Sequence, residues 1–285
     1  MKQLILNADD FGLTRGVNQA VLALHGTGVL TSTTLMARAG ATEEAIRLAQ
    51  ESSSLAVGCH VVLVDGAPIL PPEKIPSLIQ PGTREFWPTL GTFVSRLLTG
   101  RIRPQEIEAE AVAQIALLRT QGLRLTHVDT HKHTHLFPAV LKPLLRAAKE
   151  AGISVVRNPF EASWSLRATR QASLLRSWQV AILRGFEPTF RSLVEEEGFR
   201  TTDGAIGVLA TGEWGQEQLQ AWMEAMPEGV WELVTHPAYV DKDLHSVRTR
   251  LKSSRETERR ALFTLRNYAG IERIPFSALA SKKRK

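Results

Sequence analysis

Apolar and polar positions fall in blocks along this chain. Short apolar runs recur, beginning with "LILNA" at 4–8, and segments of helical periodicity separate them. The pattern predicts strands at 4–8, 30–37, 56–63, 123–129, 153–157, 205–209 and 230–235. It predicts helices at 15–25, 42–50, 104–120, 138–151 and 216–226, and a long one around 247–267. The segment "PQEIEAEAVAQIALLRT" carries a helix-start proline at Pro104, acids in its first turn and Arg119 near its end. Strand–helix alternation of this kind argues for a parallel sheet with crossover helices. About seven such units, with no division into compositional halves, predict one α/β domain over residues 1–285. The expected architecture is a TIM-like (β/α) barrel, distorted or incomplete, with an open doubly wound sheet as the alternative. In a barrel, the active site collects at the carboxyl ends of the strands.

Two stretches depart from the alternation. Residues 66–103 contain six prolines and read as a long loop or lid. Residues 163–192 interleave Trp164, Leu166, Leu174, Leu175, Trp178, Ile182, Leu183 and Phe186 with Arg167, Arg170, Arg176 and Arg184. That is a basic amphipathic insertion. It either meets a membrane or lipid-like substrate, or packs its apolar side on the barrel with the arginines in water.

Composition narrows the class. The 285 residues are 43% hydrophobic, enough for a full core, and the net charge of +6 is spread out except in the last five residues, "SKKRK". No nucleic-acid-binding pattern is present, and membrane contact is at most peripheral. The single cysteine, Cys59, excludes a disulfide framework and makes a reducing cytoplasm the expected compartment. The opening "MKQLILNADD" is no signal peptide, and no window approaches 18 apolar residues.

The chemistry gathers where strands end. Asp9 and Asp10 follow the first strand, His60 interrupts the third, and "LTHVDTHKHTHLFP" carries His127, Asp129, His131, His133 and His135. His236 follows the last strand in "ELVTHPAY". Each alone has an ordinary reading as a helix cap, a core histidine, a loop residue or a turn. Together they converge on one mouth. A carboxylate with two imidazoles suits a catalytic divalent metal that keeps open positions. A metal also explains two adjacent like charges at a buried strand end: one carboxylate ligates, and the other stands by as a base. For both to serve one site the chain must turn, which Gly12 allows. The "DDFG" string does not match its kinase counterpart, because only eight residues precede it.

These residues resemble a known family. "LILNADDFGLTRGVNQAV", "GVLTSTTLMA", "VGCHVVLVDG" and "THVDTHKHTHLFP" are similar, in order, to the YdjC-like carbohydrate deacetylases, and the similarity resumes at "VTHPAY". "HVVLVDGAPILPPEKIPSLI" is most similar to the branch associated with hopanoid biosynthesis, which removes an acetyl group from an N-acetylglucosaminyl hopanoid. The resemblance implies a barrel, often homodimeric, that uses one divalent ion, Mg2+ or Zn2+, on an N-acetylated amino sugar. It makes Asp10, His60 and His131 the metal ligands. Asp9 matches the general base of related polysaccharide deacetylases, His236 resembles their general acid, and Arg157 an arginine that orients the base. Asp129 is then expected to hold the tautomer of His131, with His133 and His135 in the loop wall. Similarity fades between 160 and 230, the region expected to set specificity.

Other classes remain beside this reading. A deacetylase of soluble chitooligosaccharides fits the same residues. A metal-dependent phosphoesterase or amidase would use the surplus histidines for a second ion. A binding protein with a vestigial site is the non-enzymatic alternative.

Overall fold

The computed structural model describes residues 1–170 and 174–281. Its strands, among these residues, are β1 (Lys2–Phe11), β2 (Ser32–Leu35), β3 (Ala56–Val61), β4 (Val128–Thr130), β5 (Gly204–Ile206), β6 (Gly229–Thr235) and β7 (Glu272–Arg273). The helices are α1 (Arg15–Gly26), α2 (Thr42–Glu51), α3 (Leu90–Leu98), α4 (Pro104–Thr120), α5 (Pro138–Glu150) and α6 (Ser163–Ala168). They continue with α7 (Leu174–Leu183), α8 (Glu187–Glu196), α9 (Gln216–Ala225), α10 (Lys242–Ser246), α11 (Ser253–Phe263) and α12 (Ser277–Ser281). The paired strands are all parallel, in the spatial order β4-β3-β2-β1-β6-β5, with β7 against the start of β1.

β1 is the central strand, and Leu4 through Phe11 are all buried. Covered on both faces, its first half reads as an apolar run, and its carboxyl end buries Asn7, Asp9 and Asp10. The sheet curls into a distorted (β/α) barrel whose far side is joined by single bridges, Val128 to Val156 and Glu161 to Ala205. The strand expected at 153–157 survives only as the bridges at Val155 and Val156. Asn158 folds its side chain onto the Phe160 N–H at 3.0 Å, and Pro159 offers no N–H to a ladder. That irregular segment carries Arg157 into the barrel. The helix expected around 247–267 is shorter: before Ser253 the chain folds back, and the Leu251 carbonyl accepts from Arg255 Nε at 2.9 Å.

Residues 66–103 are mostly loop, as expected, but an ordered one. They hold α3 and a 3-10 turn at Pro72–Lys74, and they bury Ile75, Leu78, Ile79, Phe86 and Phe93. The reason lies on α4, whose buried face carries Glu106, Glu110 and Gln114 at spacings of four. Gln114 bonds the backbone N–H and C=O of Val62 at 2.8 and 2.7 Å. Glu110 accepts the N–H groups of Ile69 and Leu70 at 2.8 and 3.0 Å, and Glu106 accepts that of Ser77 at 2.7 Å. These side chains satisfy a non-regular backbone that would otherwise need water.

Among its described residues, the basic stretch 163–192 holds α6, α7, a 3-10 turn at Arg184–Phe186 and the start of α8. Phe190, Leu193 and Val194 pack inward, whereas Trp178 and Ile182 on α7 are 70% and 68% exposed. Part of that expectation (171–173, and the side chains at 174 and 175) and the basic tail at 282–285 lie outside the described residues. Among the described residues no helix is long and apolar enough to cross a membrane.

Glu110→Ala strips two backbone N–H groups of their buried acceptor. It should lower unfolding free energy by about 3 kcal/mol in urea melts, since bonds to a charged group contribute roughly 1.5–3 kcal/mol each. A loss below about 0.5 kcal/mol would mean that α4 does not hold this segment.

Candidate functional site

The adjacent aspartates are brought together by a break in strand geometry. In a regular strand Asp9 and Asp10 would point to opposite faces. The pairing of β1 with β2 shifts register between Ala8 and Phe11, and Asp10 takes a left-handed φ of 62°. Aspartate tolerates that region better than most residues. Gly12 follows at φ 95°, its N–H held by Asn18 Oδ1 at 2.8 Å. Asp10, and not Gly12 alone, makes the turn.

Asp10, His60 and His131 converge. Asp10 Oδ1 lies 3.4 Å from His60 Nε2 and 3.3 Å from His131 Nδ1, and the two imidazole nitrogens are 3.3 Å apart. Asp10 Oδ1 is buried with no hydrogen-bond partner among the described residues. Three lone-pair donors from the ends of β1, β3 and β4 thus aim at one point, and such a set fits a divalent cation. His60 Nδ1 lies 2.7 Å from Asp129 Oδ1. Asp129 therefore orients His60, not His131 as expected, because the register of β3 on β4 sets His60 opposite Asp129.

Arg157 joins the strand ends from beneath. Its Nη1 and Nη2 donate to both oxygens of Asp9 at 2.7 and 2.6 Å, Nη1 also meets Asp129, and Nε donates to Glu232 at 2.7 Å. All four residues are buried. Burial raises the Asp9 carboxyl, but Arg157, with His60 and His236, overrides it and holds Asp9 well below the usual range. Glu232 goes the other way, up to about 8, because burial and the nearby Asp9 and Asp129 outweigh its share of Arg157. Burial would lower His60, yet Asp129 and Asp10 push it up to about 10.

His236 sits across from the trio, Nε2 3.8 Å from Asp9 Oδ2. Burial pushes its imidazole down to about 4. Its backbone N–H donates to Glu258 at 2.7 Å. The other histidines separate. His135 is buried between the Thr130 hydroxyl at 2.7 Å and the Arg157 carbonyl at 3.3 Å, so it braces the interior and is no loop wall. His127 stacks on Phe276 at 3.9 Å and lies against Gly58, where a Cβ would come within 2.6 Å of the ring. Lys132 and His133 adopt left-handed φ values of 57° and 52° just beyond His131. Cys59 faces the core, and burial pushes its thiol up.

Three buried residues of this site escape a reading of the sequence. Arg255 Nη2 donates to Asp10 Oδ2 at 2.5 Å. Glu258 and Glu232 are the others. Charged residues within predicted helices and strands look like solvated ones until the tertiary fold buries them. Glu232, an acid inside the apolar run of β6, is the one available signal.

A family model described as YdjC-like protein matches residues 3–266. The chain belongs to the YdjC-like family. A carbohydrate deacetylase of Brevibacillus brevis is 33% identical over 84% of this chain and 83% of its own length. Another from Halalkalibacterium halodurans is 32% identical over 85% and 87%. Among solved structures, a candidate cellobiose-phosphate cleavage protein of Enterococcus faecalis has a TM-score of 0.73 at 26% identity and covers 98% of both chains. A lactam utilization protein of Thermus thermophilus shares the fold at a TM-score of 0.50 and 17% identity, over 95% of this YdjC-like chain and 99% of its own.

With His60 raised to about 10, its ring is protonated at neutral pH, and an ion reaching Nε2 must displace a proton. Metal affinity should therefore climb with pH, close to tenfold per unit below that value, and level off above it. Titration calorimetry in buffers of different ionisation enthalpy should count at least one proton released per ion. A flat affinity from about pH 6 to 9 would contradict this protonation state.

Proposed function

We propose that this YdjC-like protein is a metal-dependent hydrolase that removes the N-acetyl group from an N-acetylglucosamine-type sugar. The convergence of Asp10, His60 and His131 beside a second ionised carboxylate, Asp9, carries the reading. The names of its relatives, carbohydrate deacetylases, supply the substrate class. Asp10, His60 and His131 would hold one divalent ion, Mg2+ or Zn2+, which when bound polarises the amide carbonyl and acidifies water.

The remaining work falls to the chain's own groups. Arg157 grips both oxygens of Asp9 and keeps it free of a proton at rest. The lowered pKa makes Asp9 a weak base, so as general base it would take the proton of an attacking water already acidified at the ion position. His236, neutral at rest, stands 3.8 Å from Asp9 and relays that proton to the departing nitrogen. Protonation is required there, because an amide anion is a very poor leaving group. The C–N bond breaks, giving acetate and a free amine. Arg157 also keeps Asp9 from turning, which makes it the base-orienting residue.

For the sugar's attachment, α7 favours one reading. Trp178 and Ile182 present a solvent-facing apolar pair one turn apart, in a segment that also carries Arg167, Arg170, Arg176 and Arg184. An interfacial helix has this make-up. It supports a lipid-linked amino sugar of the hopanoid type, met at the inner face of a membrane through peripheral contact.

Acetate release should be measured from N-acetylglucosamine-containing glycans and glycolipids, with and without a chelator, alongside metal content. Release that is lost on chelation, one ion per chain, and Asp9→Asn retaining the ion with turnover down about 10²–10⁴-fold are expected. Two ions per chain would favour the phosphoesterase class, and silence on every acetylated sugar would overturn the deacetylase reading. For the lipid step, Trp178→Ser with Ile182→Ser should reduce turnover of a vesicle-borne substrate at least tenfold more than that of a soluble one. Equal effects would return α7 to a packing role.

A further inference from the structure

We propose that Arg255 is a positioning residue for the metal-ligating carboxylate: it occupies one oxygen of Asp10 and so presents the other, alone, to His60 and His131. This rests on the metal reading of that trio. Asp10 Oδ2 accepts from Arg255 Nη2 at 2.5 Å, while Oδ1 faces the two imidazoles at 3.4 and 3.3 Å without a hydrogen bond. The two oxygens are thus divided between a guanidinium and the candidate ion position. Left free, the carboxylate could rotate about its terminal torsion, which is soft and broad. Asp10 also sits in left-handed backbone, so the side chain has no regular strand neighbour to fix its direction.

Arg255 is itself held for this task. It projects from α11 with 1% exposure, and its Nε donates to the Leu251 carbonyl at 2.9 Å, which locks the plane of the fork. Its Nη1 is buried with no hydrogen-bond partner among the described residues, so Asp10 is the one carboxylate it pairs with there. A buried ion pair such as Arg255–Asp10 adds little stability over two well-packed apolar side chains of similar size. Its placement makes sense for the direction it gives Asp10.

The sign of the effect on metal binding separates positioning from simple charge. A guanidinium beside a cation site repels the cation. If Arg255 only balanced the charge of Asp10, its removal would tighten metal binding. If it aims Oδ1, removal weakens binding despite the relieved repulsion. Partners that orient metal ligands typically contribute 10–100-fold in affinity.

Zn2+ affinity of the metal-free protein should be measured by competition with a chromophoric chelator, for wild type, Arg255→Met and Arg255→Lys. Arg255→Met is expected to bind about 10–100-fold more weakly and, with Asp10 left unpaired, to unfold at a lower midpoint in chelator, and Arg255→Lys to recover part of the lost affinity. The visible absorption of Co2+ bound in place of Zn2+ should change shape in Arg255→Met, because the freed carboxylate can chelate through both oxygens. Should Arg255→Met fail to fold, Arg255→Gln gives the same reading. Unchanged or tighter Zn2+ binding in the neutral variant would overturn the role of Arg255. Wild type that takes up no ion would overturn the metal reading instead.

Discussion

A single guanidinium, that of Arg157, faces three buried carboxylates, and the interior of the barrel mouth depends on it. Unpaired, each buried carboxylate would cost on the order of several kcal/mol or would hold a proton instead. Shared among Asp9, Asp129 and Glu232, the guanidinium lets β1, β4 and β6 carry buried acids without splaying apart. Its backbone is anchored as well: the Arg157 N–H donates to Val128 at 3.1 Å, and its carbonyl meets His135 Nε2 at 3.3 Å. From this follows an ordered chain of consequences. Asp129, gripped on one oxygen by Arg157, turns the other to His60 Nδ1, and His60 then points Nε2 toward Asp10 and His131. The buried histidine at the candidate ion position is aimed from two residues away.

The second constraint is local. Consecutive side chains on a strand cannot serve one pocket, so the doublet Asp9–Asp10 demands a backbone irregularity from the outset. The register shift and the left-handed Asp10 meet that demand within two residues. The non-glycine residues with positive φ among those described are Asp10, Asp65, Lys132 and His133, and they lie at or just beyond the ends of β1, β3 and β4. Strain of this kind gathers where geometry is set by chemistry. Asp65 and Lys132 are also joined by an ion pair at 2.8 Å, which ties the loop after β3 to the turn carrying His131.

What the sequence discloses tracks the range of the interactions involved. Helix α4 is readable to the residue, since Pro104 starts it and local periodicity sustains it. β1 and β6 are readable because burial leaves each a mostly apolar run, broken by Asn7 in the first and Glu232 in the second. The strand at 153–157 is not, because Asn158 and Pro159 divert the chain and only tertiary bridges identify its path. The 66–103 segment looks like a loop because its prolines disrupt periodicity. Its order comes from Glu106, Glu110 and Gln114, which reach back across the chain to Val62, Ile69, Leu70 and Ser77. The same holds at the site. Asp9, Asp10, His60 and His131 stand out as polar residues at strand ends, whereas Arg255 meets Asp10 across 245 positions of sequence, with nothing local to mark it.

Charge balance explains how such a pocket can form at all. With Asp9, Asp10 and Asp129 ionised, three negative charges stand against Arg157, Arg255 and a protonated His60, while burial raises Glu232 to about 8 and Glu258 to about 7, so that the first keeps its proton at neutral pH and the second is partly protonated. The interior is therefore close to neutral with protein groups alone. Sites whose ligands repel one another in the absence of metal fold only when the ion arrives. Here protons and guanidiniums stand in for it, so the ligand atoms are already within 4.8 Å of one another in the protein itself. A preformed set of this kind spends little of its binding energy on ordering ligands, which leaves the geometry rigid for whatever substrate it meets. The arginines thus serve two ends. They let the fold bury its acids, and they fix the directions in which those acids and their histidine partners face.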